Sequence, residues 1–204
     1  MSTILIVPGL NGSGEHHWQT HWERHLPDTV RVQQDDWSHP DLDQWAANVV
    51  ETAADRKNIW IVAHSFGVLA AVHALQHIST QVEGVFLVAP ADPHKFRVQH
   101  QLTQQPLPVT GALVASHSDP WLSWQDAQQL ADDWYLPVLD AGDAGHINVA
   151  SGHFVWQQGL IWFESLRRTR LAITHELSIV GEHFLNVDQS WPGVAAAESF
   201  RLAL

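Results

Sequence analysis

Cysteine is absent from the 204 residues, which removes disulfides, thiolate zinc sites and cysteine nucleophiles at once. Basic residues are scarce: 10 Lys and Arg stand against 22 Asp and Glu, a formal charge of −12. The only basic cluster is Arg167, Arg168 and Arg170. Polyanions are held mainly through such clusters, so nucleic acid and anionic membrane are not expected as partners. No apolar run approaches the length of a membrane span. The opening residues lack a basic n-region and their apolar run is strand-length, so they read as a first strand and not as a signal segment. The expectation is a soluble, cytoplasmic protein.

What is present suits a globular chain, with 45% hydrophobic and 16% charged residues. The length favours a single domain over 1–204, with a core at about 3–168 and a C-terminal extension over 171–204 that carries no clear period. Strand-like runs recur at Ile4–Val7, Val30–Gln33, Ile59–Val62, Gly84–Ala89, Val109–Ala115 and Leu136–Leu139. Helical spacing lies between them. Leu42, Trp45, Ala46, Val49, Val50 and Ala53 form one apolar stripe that Asp41 could open. Val68–Leu75 is almost wholly apolar, and further helical patterns follow Pro120 and cover Phe154–Leu166. Strands alternating with helices predict a parallel sheet covered on both faces, a three-layer α/β/α sandwich.

The stretch Ile59–Gly67 carries the chemistry. It reads as a buried strand running into Ser65 with small residues on either side, Ala63 two before and Gly67 two after. A serine hydroxyl is a poor nucleophile until a sharp strand-to-helix turn exposes it to a histidine base and to backbone N–H groups. The usual pattern is G-x-S-x-G, with alanine here in place of the first glycine. A strand end followed by a serine N-cap explains the same five residues without catalysis, so the partners decide.

Such a nucleophile is followed along the chain by an acid after a late strand and a histidine after the last. Ser118-Asp119-Pro120 occupies the first place, and the Gly-rich loop Asp140–Asn148, with His146, the second. Asp119 before Pro120 is equally a good helix start. Asp92, Asp140 and Asp143 are competing acids. His64 sits on the turn beside the nucleophile and reads as a packing or hydrogen-bonding residue. The oxyanion hole needs two donors: the N–H of Phe66, and that of Leu10 or Asn11 in the loop Pro8–Gly14. That loop lacks the endings and spacing of a phosphate cradle.

These blocks resemble the small serine hydrolases related to retinoblastoma-binding protein nine, compact α/β-hydrolases that begin at what larger members count as their third strand. The resemblance rests on Pro8-Gly9 with its Gly-rich loop and His17-Trp18, and on Trp37, Pro40 and Trp45. It rests further on His64-Ser65-Phe66-Gly67, Ser118-Asp119-Pro120, and Gly145-His146-Ile147-Asn148 with Ser151-Gly152. It spans roughly 3–168. It implies a six-stranded sheet ordered 2-1-3-4-5-6, with Ser65 as nucleophile, His146 as base and Asp119 as orienting acid. The reaction these residues suit is acyl transfer to water from an ester or related small acyl substrate, which requires no metal or organic cofactor.

The segment where larger relatives insert a lid, about Pro90–Pro108, is short and glutamine-rich, which predicts a shallow, partly open site that prefers small acyl groups. Two other readings compete. His17, His21 and His25 recur every four residues and could hold a transition metal from one helix face. Eleven tryptophans could instead anchor a protein partner on a non-catalytic version of the fold.

Overall fold

The computed structural model describes residues 2–170; the extension over 171–204 lies outside them. The chain divides into two compact units, Met1–Phe163 and Glu164–Leu204. In the first, six strands form one parallel sheet in the order β2-β1-β3-β4-β5-β6. The strands are β1 (Thr3–Val7), β2 (Thr29–Arg31), β3 (Ile59–Ser65), β4 (Val82–Pro90), β5 (Thr110–Ala115) and β6 (Val138–Asp140). Helices α1 (Trp18–His25), α2 (Leu42–Ala53), α3 (Phe66–Ile78) and α4 (Trp124–Trp134) fill the crossovers, and residues 157–163 are also helical. In the second unit, residues 164–170 are helical and Arg167 Nη1 lies 3.0 Å from Glu164 Oε1. Among the described residues no helix is long and apolar enough to cross a membrane.

The central strands are apolar without interruption because both faces are covered. Side chains alternate across the sheet. Leu5, Val7, Ile61, Ala63, Val85 and Leu87 share one buried cluster with α2, α3 and α4. The opposite face sends Trp60 and Phe86 against Phe163, with Trp22 and Trp156 packed on Phe86. Trp18, Trp22, Trp45, Trp60 and Trp134 are each essentially sealed from solvent, so much of the tryptophan content builds the core. α2 opens as its sequence predicts, Asp41 accepting the N–H of Gln44 at 2.9 Å.

α4 starts later than the Asp119-Pro120 pair suggests. Ser123 is its N-cap, accepting from Asp126 N–H. Asp119 lies outside the helix, and its carboxylate is engaged elsewhere.

Candidate active site

The strand-to-helix junction is tight. β3 ends at Ser65 and α3 begins at Phe66, leaving Ser65 at φ 55°, ψ −126°. L-residues populate that region sparsely, at a cost of about 1–3 kcal/mol that the surroundings must hold in place. Two glycines allow it. A Cβ on Gly9 would sit 2.6 Å from Ser65 Cβ, and one on Gly67 would overlap the carbonyl oxygens of Val7 and Pro8. Ala63 is tolerated where glycine is usual: it pairs with Val7 and Leu87 inside the strands and is fully buried.

His146 comes from the loop after β6 and meets the serine from above the sheet's C-terminal edge. Its Nε2 lies 2.9 Å from Ser65 Oγ and its Nδ1 2.8 Å from Asp119 Oδ2. The imidazole and carboxylate side chains are only 9% and 4% exposed, so water competes weakly for either bond. Asp119 Oδ1 accepts the N–H of Trp121 at 2.8 Å, which fixes the carboxylate plane. Hydroxyl, imidazole and carboxylate thus form one hydrogen-bonded series in which the imidazole can accept the hydroxyl proton.

The competing acids are occupied elsewhere. Asp92 Oδ1 accepts from His94 N–H, with Lys95 Nζ 3.9 Å from Oδ2. Asp140 bonds Gly142 N–H and His117, and Asp143 is exposed.

The loop carrying His146 is tied down from several directions. Ser116 Oγ donates to Gly142 O and accepts from Ala144 N–H, while Ser118 Oγ accepts from Gly145 N–H at 3.0 Å. Trp18 Nε1–H donates to Ile147 O at 2.8 Å, and Asn148 caps the short turn Val149–Ser151 in a reciprocal capping box with Ser151. Buried His64 bonds the main-chain oxygen of His146 through Nε2 at 2.9 Å. A carbonyl can only accept, so Nε2 carries the proton. Burial, reinforced by His146 and His17, holds the His64 imidazole well below its ordinary pKa and therefore neutral. Sequence reasoning missed the two serine ties, whose only signal was a Ser-x-Ser in the acid loop.

A cavity of about 260 Å³ opens over Ser65, lined in part by Leu10, His17, Phe96, Trp121 and His146. Next to Ser65 in the chain, the N–H of Phe66 is the first of α3 and has no partner within the helix. Of the two loop amides, Asn11 N–H already donates to Trp37 O at 2.7 Å, which removes it as a donor to substrate. Leu10 N–H makes no hydrogen bond among the described residues and remains available.

The three histidines at four-residue spacing do not share a helix face. His17 is the N-cap of α1 and faces the cavity. His21 and His25 stack on each other with centroids 6.4 Å apart, His25 Nδ1 lying 2.6 Å from His21 O. Among the described residues no group of three or more His, Asp or Glu is placed to hold a metal ion.

The serine hydrolase family model matches residues 4–165. The chain belongs to the serine hydrolase family. A protein described as a YdeN-like hydrolase from Pectobacterium atrosepticum is 37% identical, with a TM-score of 0.80 over 83% of this chain and 92% of that one. The ydeN gene product of B. subtilis is 20% identical, with a TM-score of 0.64 over 76% of this chain and 92% of its own. Est1E of Butyrivibrio proteoclasticus, solved with ferulic acid, is 13% identical, with a TM-score of 0.63 over 84% of this chain and 89% of its own. The last two share the fold. No curated protein sequence matches. This serine hydrolase has the compact α/β-hydrolase architecture, with the sheet order that the resemblance to small serine hydrolases implied.

Proposed function

We propose that this serine hydrolase cleaves small carboxylic esters through an acyl-enzyme on Ser65. His146 Nε2 takes the hydroxyl proton as Ser65 Oγ attacks the ester carbonyl, then returns it to the departing alkoxide oxygen. Asp119 holds the imidazole with Nδ1 protonated and stabilises its positive charge. The tetrahedral oxyanion is received by the N–H groups of Phe66 and Leu10. Water, deprotonated by His146, then attacks the acyl-enzyme, releasing the acid and restoring Ser65. The observation that carries this reading is the unbroken hydrogen-bonded series Ser65–His146–Asp119. Esterases among the structures sharing the fold support the same class of reaction.

The cavity volume of about 260 Å³ accommodates a short acyl chain. A fluorophosphonate probe labels only an activated serine, so it should label the protein at Ser65 and fail on Ser65→Ala. With 4-nitrophenyl esters, acetate and butanoate should turn over faster than octanoate. Full esterase activity in Ser65→Ala would refute the assignment.

A further inference from the structure

His17 is a buried polar residue in the cavity wall that the acyl-transfer steps leave unused. Its ring is fixed from behind: Nδ1 accepts the N–H of Gln19 at 3.2 Å, capping α1. Gln19 is fully buried and donates to Val7 O and Val62 O, so the cap is anchored to β1 and β3 beneath the site. The His17 ring packs edge-on against His64, centroids 5.0 Å apart, and His64 in turn lies 4.9 Å from His146. Burial, the Arg31 guanidinium and His146 push the His17 imidazole down to about 4, so it is neutral at ordinary pH.

A neutral imidazole that accepts through Nδ1 must carry its proton on Nε2. Among the described residues no hydrogen bond engages that N–H. Nor is it one of the sealed, unpartnered side-chain atoms among the described residues, which are Gln34 Nε2 and Gln101 Oε1. The donor is therefore not sealed, and His17 lines the cavity together with Ser65 and His146. Asn11 and Asn148 add polar groups to the same cavity lining, whereas Leu10, Phe96 and Trp121 supply apolar wall.

Resting on the acyl-transfer reading above, we propose that His17 is a substrate-binding residue whose Nε2–H donates to an oxygen acceptor on the ester, outside the scissile carboxyl group. The preferred substrates are then small esters carrying a hydroxyl, ether or carbonyl oxygen near the scissile bond. A plain alkyl ester leaves the donor unpaired, and a site built to make such a bond discriminates against the analogue that lacks it.

The test uses two pairs of esters in which an ether oxygen replaces one methylene. The first pair is 4-nitrophenyl methoxyacetate and butanoate, the second 2-methoxyethyl acetate and butyl acetate. Each kcat/KM is divided by the rate of hydroxide hydrolysis to remove intrinsic reactivity. The wild-type enzyme should favour the ether ester by about tenfold or more in one pair, the magnitude of one good hydrogen bond. His17→Asn keeps a side-chain acceptor for the helix cap but is too short to carry a donor to the same place. It should bring that preference to within about twofold, the loss falling on the ether ester. No preference in the wild type, a preference that survives His17→Asn, or an equal loss on both members of a pair would overturn the proposal. Failure of fluorophosphonate to label the wild-type protein would instead overturn the hydrolytic reading on which it rests.

Discussion

Asp119 illustrates how a residue's role depends on which of its oxygens is counted. Before Pro120 it looks like a helix cap, and one oxygen does accept a backbone N–H, that of Trp121. The other oxygen meets His146. Asp119→Asn preserves the shape but offers His146 Nδ1 an amide that can present a donor, favouring the wrong tautomer, so turnover should fall by about 10³- to 10⁴-fold. Asp140→Asn, at an exposed carboxylate that bonds Gly142 and His117, should retain most activity. Steady-state kinetics on the two variants separates the acids that sequence left in competition. The meeting of Ser65, Asp119 and His146 was legible because the acyl-transfer site proposed here would demand those residue types in that chain order. His17 was not, since a histidine every four residues reads as a helix face and only the cap geometry turns this one inward. Ser116 and Ser118 were equally hidden, because a hydroxyl tying two loops together leaves no local pattern.

At the level of elements, the strands and the α2 cap follow from periodicity and one aspartate. The start of α4 does not: Asp-Pro and Ser-x-x-Asp are both good openings only a few residues apart, and the nearby histidine engages the first. The junction of β3 and α3 is sensitive to mutation. Gly67 lies so close to the end of β1 that a methyl group meets main-chain oxygen, an obstacle that cannot rotate away. Gly67→Ala should lower stability by at least about 1–3 kcal/mol and shift the helix carrying Phe66. Gly14→Ala, with nothing within 4 Å of the new carbon, should be near neutral. Denaturant midpoints measure both, and equal midpoints would show that the close approach is dispensable.

For the molecule as a whole, two buried histidines make stability depend on pH. Unfolded, His17 titrates at its ordinary 6.5, while in the fold it is held near 4. Below 6.5 the unfolded chain binds the proton and the native state does not, so stability falls as pH falls and levels off once the native imidazole also protonates. The contribution is fully present above pH 6.5 and lost towards pH 4, on the order of 3 kcal/mol, with His64 acting in the same direction. Denaturation at pH 7, 5.5 and 4.5 should show this slope, and His17→Asn should flatten it. An identical slope in the variant would place the dependence on other groups.

The tethering of the His146 loop bears on how the chain comes to be active. Trp18 and His64, which hold its main chain, lie 129 and 82 residues from the carbonyls they bind, and Ser65 itself is 81 residues from its imidazole. No fragment emerging early from the ribosome contains a usable pair. On the proposed mechanism, a copy in which β6 has not docked lacks the imidazole that Ser65 meets in the fold, and its serine should react as an ordinary alcohol.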